Sequence, residues 1–396
     1  MTVIIVGIVY NYMNIKEFTN PCGGLIPIGG GNHAFLPAPL PPGIALSTAT
    51  AGLLAQASQA LGELIGLCRT LPNPRMVTDP FTRREAILSS RIEGTYATEA
   101  EVILFEARPT QPPERQDILE VRNYMLALEF GLQQLKTLPI CLRLIRDMHA
   151  ILMRGVRGDD KRPGEFRTVQ NFIGNRGDGI EKARFVPPPV REMDSALDAF
   201  EKFLHAPGEF HPLIRLAMGH YQFEAIHPFR DGNGRAGRLL LAVSLCEHTG
   251  FLIPPLYLSA YFEKNRDAYM NHLLRISQNS EWLSWIHFFL TGVAQVAKDA
   301  ARRATGLLGL MNEYRKRLHG RRTSALALRL LDQLFVIPYL TIPSAAKFLG
   351  VGYPSAKLAV QRLVRAGVAE EITKAKRDRV YMARGILSAL SDEPSG

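Results

Sequence analysis

The run HPFRDGNGRAGR, His227 to Arg238, sets an imidazole, a carboxylate, an amide, glycines and arginines within one short stretch. Three chemistries use that inventory. Gly232, Gly234 and Gly237 fit the G-x-G-x-x-G spacing, but a dinucleotide site needs a strand before the first glycine and a βαβ unit around it. The residues before it, LAMGHYQFEAI, have helical period instead. His220, Glu224 and His227 lie three to four apart on one helical face, a spacing that could ligate zinc. No HExxH accompanies them, and a histidine in an apolar helix is more commonly a satisfied core residue. The third chemistry, on a phosphate chain, uses every residue. A small-residue loop that opens a helix presents unpaired N–H groups and the positive end of the helix dipole. Gly232 and Gly234 let the backbone wrap phosphate oxygens. Asp231 is a hard ligand suited to Mg²⁺ bridging two phosphates. Arg235 and Arg238 share one face of the next helix and suit the distal phosphates. His227 is the side chain here whose ordinary pKa suits a general base near neutrality.

The elements that must hold this loop are helices. Apolar periodicity predicts helices over 117–137, 140–154, 191–205, 212–226, 235–249, 264–277 and 281–300. Upstream, LLAQASQALGELIGLCRTL reads as a helix, LPNPRMVTDP as a break, and FTRREAILSSRIEGTYAT as another short helix. Between 164 and 189, GEFRTVQNFIG alternates, a Gly-rich charged loop follows, and ARFVPPP closes what reads as an inserted β-hairpin. Residues 1–42 are rich in Gly and Pro and read as an extended arm. The expected division is that arm, an N-terminal helical region over 43–115, a core over 116–300, a basic helical linker over 301–325 and a C-terminal unit over 326–396. The last reads as helix, turn, helix and two short strands, with Ala345, Leu349, Val351, Val360 and Leu363 as its core. The fold class expected is mainly α, with one hairpin and a small winged helix-turn-helix domain.

Composition agrees with a globular chain: 396 residues, 46% hydrophobic and 21% charged. A net charge of +10 points to anionic partners, nucleotide or nucleic acid. Cys22, Cys68, Cys141 and Cys246 are too scattered for zinc spacing and read as thiols of a reducing compartment. The apolar start MTVIIVGIVY is far shorter than a bilayer span and lacks a basic leader, so the expectation is a cytoplasmic protein with no membrane partner.

HPFRDGNGRAGR resembles the signature of the Fic family, H-x-F-x-[DE]-G-N-G-R-x-x-R, at every defined position. The likeness extends from about Pro39 to Phe289, through LPNP…PFTRREAILSSRIEGTYAT, GEFRTVQNFIG…FVPPP and LYLSAYFEKNRDAYMNHL. What it implies is transfer of AMP from ATP to a Ser, Thr or Tyr hydroxyl of a target protein or of the chain itself, with release of pyrophosphate. His227 would take the hydroxyl proton and Phe229 would anchor the loop in the core. Asp231 would hold Mg²⁺ on the α- and β-phosphates, and Asn233 with the amides of 232–234 would stabilise the α-phosphate. Arg235 would meet the β-phosphate and Arg238 the γ-phosphate, with Ala236 and Gly237 between them in the nucleotide site. Gly234 stands where lysine marks relatives that act as kinases, so glycine favours AMP transfer. The flap, including Ile173 and Gly174, would close over the nucleotide and pair with a target segment near 171–174. Tyr269 would line the adenine pocket.

The resemblance also covers SSRIEG, where Ser89 and Glu93 match an inhibitory pattern [ST]-x-x-x-E-[GN]. It implies that Glu93 pairs with Arg238 and holds the enzyme in check; in some relatives the same glutamate supports removal of AMP. The C-terminal unit resembles a winged helix. Lys357, Arg362 and Arg365 on its second helix, and Lys374, Lys376, Arg377 and Arg379 in its wing, suit DNA phosphates, although winged helices also serve as protein docking or dimer modules. A second copy of the chain is a further candidate partner. The alternative function is a DNA-binding regulator whose core senses nucleotide.

Overall fold

The computed structural model describes residues 13–71, 73–107, 115–174, 177–250, 256–319, 324–373 and 379–390. Helices dominate. A hairpin of β1 (Gly23–Gly29) and β2 (Asn32–Pro37) comes first. Then follow α1 (Thr48–Thr70), α2 (Arg75–Ile92), α3 (Glu99–Ala107), α4 (Gln116–Gln134), α5 (Leu142–Leu152) and α6 (Val190–His205). Next come α7 (Pro212–Ile226), α8 (Asn233–Thr249), α9 (Ser259–Lys264), α10 (Arg266–Asn279) and α11 (Trp282–Leu318). The C-terminal elements are α12 (Ala325–Val336), β3 (Tyr339–Thr341), α13 (Ile342–Leu349), α14 (Tyr353–Arg365), β4 (Glu370–Glu371), β5 (Val380–Met382) and α15 (Arg384–Leu390). No described helix is long and apolar enough to cross a membrane.

The chain divides into two compact units, one from 1–55, 126–248 and 264–291, the other from 56–125, 249–263 and 292–396. In the first, α7 and α8 are the central pair. His211 caps α7 by accepting from the Leu213 amide, and Pro212 occupies the first turn, where a missing N–H costs nothing. Residues all round α7 are buried, from Leu213 and Ile214 to Phe223 and Ile226, which only a helix surrounded by others tolerates. The flanking α5 and α6 bury one stripe each: Leu144, Ile145, Met148, His149 and Leu152 in α5, and Met193, Leu197, Phe200 and Phe203 in α6.

The expected extended arm is instead part of this unit. Gly30 and Gly31 take φ of 59° and 77°, the left-handed pair that a tight hairpin turn requires, and Leu25 faces Phe35 across the ladder. Ala34 and Phe35 are fully buried, and the Phe35 amide donates to the Val186 carbonyl at 2.8 Å. The Gly and Pro residues that suggested an unfolded arm are thus turn and strand-end residues of an anchored hairpin.

In the second unit α2 begins at Arg75, so the expected break ends at Pro74 and Pro80 lies inside the helix. The Thr78 hydroxyl donates back to the Pro74 carbonyl at 3.1 Å within that first turn. α12 packs along α2, burying Leu330, Leu331 and Leu334. Glu85 of α2 is buried and accepts from the Tyr124 hydroxyl and from the amide and hydroxyl of Ser259. Buried Arg83 pairs with Glu106 of α3 at 3.1 Å. The expected separate linker over 301–325 is largely the continuation of α11, unbroken to Leu318. Residues 56–115 of the expected N-terminal helical region and the 326–396 segment fall in this one unit, with α2 and α12 in contact within it.

β3, β5 and β4 form a three-stranded antiparallel sheet, with Thr341 opposite Val380 and Glu370 opposite Met382. Thr341 and Ser344 make a capping box at the start of α13, and Gly350 at φ 70° ends it. Ala345, Leu349, Val360 and Leu363 are buried as expected, while Val351 is half-buried. Lys374, Lys376 and Arg377 lie outside the described residues; Arg379 pairs with Glu371 at 3.3 Å.

Candidate active site

α7 ends on His227, whose φ of 50° is left-handed and turns the chain sharply while its amide still donates to the Phe223 carbonyl at 3.0 Å. Its Nδ1 lies 3.3 Å from the Glu224 carbonyl oxygen. A carbonyl only accepts, so Nδ1 carries the proton and the ring's lone pair is on Nε2. The His227 carbonyl accepts from Arg167 Nε at 3.1 Å, and Asn171 Nδ2 donates to the Phe229 carbonyl at 2.9 Å. Arg167 is itself buried, with its Nη2 donating to the Pro188 carbonyl. Burial lowers its pKa to about 10, which leaves it charged at neutral pH.

The loop after His227 closes on itself. Phe229 is fully buried and stacks on His149, centroids 3.6 Å apart and rings 2° from parallel. Asn233 accepts from the Phe229 amide and donates to the Phe229 carbonyl, both at 2.8 Å. Gly232 is left-handed at φ 76°, and a Cβ there would stand 2.5 Å from Met153 Sδ, so the position demands glycine. The Gly232 amide donates to Asp231 Oδ1 at 2.7 Å, and a Cβ on Gly158 would meet Asp231 Oδ2 at 2.6 Å. The half-buried Asp231 carboxylate therefore stands just ahead of the first turn of α8, where helix N–H groups lack helical acceptors.

On α8, Arg235 and Arg238 are both buried, and Arg235 Nη2 lies 3.4 Å from Met153 Sδ. Gly237 lets α8 approach α7, since a Cβ there would stand 2.3 Å from Glu224 Oε1. Above the loop, Ile173 pairs with Phe185 by mutual main-chain hydrogen bonds of 2.8 and 3.1 Å. A cavity of about 80 Å³ is lined by Ile173, Glu224, Met270 and Leu273 among others.

Residues 139–245 match the Fic/DOC family, and residues 51–133 match the Fic/DOC family N-terminal region. The chain carries a Fic domain. Protein adenylyltransferase Fic of Culex quinquefasciatus is 32% identical over 136 residues, 34% of this chain and 24% of that protein. Protein adenylyltransferase Fic of Drosophila grimshawi is 27% identical over 177 residues, 43% of this chain and 33% of that protein. The chain thus spans no more than about a third of the length of these relatives. In fold it is similar to a Fic family protein from Desulfovibrio desulfuricans G20, with a TM-score of 0.56 at 18% identity over 90% of this chain and 100% of that one. A Fic domain containing signaling protein from Bacteroides thetaiotaomicron VPI-5482 gives 0.51 at 19% identity, over 64% and 97%.

Within the Fic loop, His227, Asp231, Gly232, Gly234, Arg235 and Arg238 fall together on one turn and the helix it opens. Both polar atoms of Asn233 engage the Phe229 main chain, so the side chain closes the loop. Tyr269 is buried, its hydroxyl lies 2.8 Å from His220 Nε2, and the next residue, Met270, lines the cavity beside Ile173. His220 is the core residue expected of an apolar helix; burial takes its pKa down to about 3. Among the described residues no group of three or more His, Cys, Asp or Glu is placed to hold a metal.

The Fic flap forms one bridge among its described residues where a full hairpin was expected. Its arms spend their polar groups on the loop below, through Arg167 and Asn171, and on one another through Gln170 Nε2 to the Pro187 carbonyl at 2.9 Å. Gly174 lies against Ala183 on the opposite arm. In the second unit, Ser89 is fully buried in α2, and Glu93 is the half-buried C-cap of that helix, with left-handed Gly94 at φ 82° after it. The composition of the loop did not reveal Arg167, Asn171, Met153 or His149. For His149 the available signal was a polar residue on the otherwise apolar stripe of α5.

Proposed function

We propose that this chain transfers AMP from ATP–Mg²⁺ to a hydroxyl side chain of a protein, itself included, and that Glu93 holds the reaction in check through Arg238. The observation that carries the reading is the His227 ring, whose proton sits on Nδ1 toward the Glu224 carbonyl, leaving Nε2 as the basic atom. In the reaction the target oxygen forms a bond to the α-phosphorus and its proton passes to His227 Nε2. The bond from that phosphorus to the bridging oxygen breaks, and pyrophosphate leaves with the electron pair.

Asp231 supplies a hard carboxylate oxygen just ahead of α8, of the kind that would hold Mg²⁺ on a phosphate chain. Mg²⁺ held there would neutralise charge on the phosphate chain. The amides of Asn233 and Gly234 and the α8 dipole stabilise the α-phosphate, the Gly232 amide being engaged by Asp231 Oδ1, and Arg235 and Arg238 orient the chain beyond it. Ile173, Met270 and Leu273 offer an apolar wall to the base, in the role first expected of Tyr269. The target docks along the flap at 171–174 by main-chain pairing. The relatives named Protein adenylyltransferase Fic and the match over 139–245 support the reaction class. For inhibition the support is the SSRIEG match alone.

The test is incubation with ATP labelled at the α- or the γ-phosphate, followed by mass spectrometry of the intact chain. A gain of AMP mass with α-label retained is expected. Retention of γ-label alone would make the chain a kinase.

A further inference from the structure

We infer that His149, on α5, is a positioning residue for the Fic loop: it holds the Asp231 carbonyl through Nε2–H while its ring stacks flat on Phe229. The inference rests on the proposed AMP transfer for its catalytic consequence, but its structural part stands on geometry alone. The Gly164 amide donates to His149 Nδ1 at 2.9 Å, which makes Nδ1 the acceptor and puts the ring proton on Nε2. That Nε2 lies 2.9 Å from the Asp231 carbonyl oxygen, which can only accept. One neutral tautomer satisfies both neighbours; the other satisfies neither. The imidazole thus bridges the start of the flap segment, at Gly164, to the main chain of the residue whose carboxylate would meet Mg²⁺.

The rest of α5 completes the bed. Met153, one turn beyond His149, lies against both Arg235 and the Cα of Gly232. Phe229 is clamped between the His149 ring below it and the Asn233 side chain across its main chain. The Asp231–Gly232 peptide is therefore fixed from beneath, and its carboxylate and amides are held in place before any ligand arrives. Such preorganisation is what electrostatic stabilisation of a transferring phosphoryl group requires.

His149→Phe keeps a flat ring for Phe229 and deletes the donor; His149→Gln restores an N–H donor near the Nε2 position. Hydrogen–deuterium exchange over 228–236 should quicken in the Phe variant and return toward wild type in the Gln variant. AMP transfer should fall at least about tenfold in the Phe variant, chiefly in kcat at saturating ATP–Mg²⁺, with partial recovery in the Gln variant. Unchanged loop exchange in the Phe variant overturns the inference, whether or not the wild type transfers AMP. If the Phe variant fails to fold, ¹⁵N spectra of the wild-type histidines decide, with the His149 signal assigned by its loss in the Gln variant. An Nε2–H tautomer upholds the inference and an Nδ1–H tautomer overturns it. A wild type that transfers no AMP would count against the proposed reaction alone.

Discussion

Asn233 grips the main chain of Phe229 at both ends, accepting from its amide and donating to its carbonyl at 2.8 Å each. The clasp spans the four-residue turn that carries Asp231 and Gly232, and it is buried together with the Phe229 ring. A loop meant to wrap phosphates must leave its own amides pointing outward, so something else has to stop it from opening. Asn233 does that from the inside.

Asn233→Ala should therefore leave the buried Phe229 amide unsatisfied, at a cost of about 1–3 kcal/mol, while the Phe229 carbonyl keeps Asn171 as a donor. Asn233→Asp keeps the acceptor but sets a second acceptor against the Phe229 carbonyl, so it should recover only part of the loss. Urea denaturation of the three proteins checks the order wild type, Asp, Ala. An alanine variant as stable as wild type would show that the clasp contributes nothing.

How much of this was readable in sequence varies with the kind of feature. The helices of the first unit follow from apolar periodicity, and the Fic loop follows from its run of residue types. Asn233 was visible as a residue but not in its role, because an amide that grips the backbone and one that meets a phosphate look alike in sequence. Tyr269 and Met270 show the angular limit: one residue along a helix turns the side chain by about 100°, enough to exchange core for cavity. The β1–β2 hairpin was missed because its glycines and prolines read as an extended arm. Only the burial of Phe35 against Phe18 and Phe185 reveals why they are turn residues.

His149 and His220 make stability depend on acid. Their folded pKa values, about 4 and about 3, lie below the ordinary 6.5 because burial disfavours the imidazolium. The unfolded chain thus takes up these protons first. The stabilisation is complete above pH 6.5 and is lost as pH falls toward 4, by about 1.4 kcal/mol per pH unit for each histidine. Urea midpoints at pH 7.5, 6 and 5 should decline accordingly. His220→Gln should flatten the slope between pH 6 and 5 by about one proton, and an unchanged slope would mean that His220 is not held neutral.

The C-terminal elements permit a test between partners. On α13 and α14, Phe348, Tyr353, Leu358 and Val364 are exposed at 42, 54, 52 and 38%, beside Lys357 and Arg365. Large apolar side chains on the helix that would enter a groove suit a protein surface better than phosphates. Duplex DNA should therefore not be retarded by the chain even at about 50 mM salt. Retardation that weakens steeply with salt, and that is lost on changing Lys357 and Arg365 to Glu, would place DNA there instead.

His227→Ala separates binding from chemistry. The glycine amides, Asp231 and the arginines remain, so ATP–Mg²⁺ should bind within a few-fold of wild type by calorimetry. Transfer should fall by at least about 10²-fold, the contribution of a positioned general base. Transfer close to wild type would remove His227 from the mechanism.

Glu93 allows the sharpest separation of effects. It is the C-cap of α2, held at the end of its helix by the Gly94 turn, and Arg238 is a buried arginine on α8. Under the proposed inhibition, a carboxylate paired with Arg238 withholds that cation from ATP and adds negative charge where the γ-phosphate belongs. Glu93→Gly removes both penalties and leaves the Fic loop intact, so AMP incorporation, including self-modification, should rise at least about tenfold. Arg238→Ala should not imitate it, because opening the pocket also deletes the phosphate contact. The double variant should match Arg238→Ala, since two residues acting through one interaction cannot contribute independently. Incorporation of labelled AMP by the four proteins at saturating ATP–Mg²⁺ supplies the comparison. A Glu93→Gly protein no more active than wild type would reject inhibition by SSRIEG while leaving the assignment of His227 and Asp231 in place. Additive effects in the double variant would instead mean that Glu93 acts on a group other than Arg238.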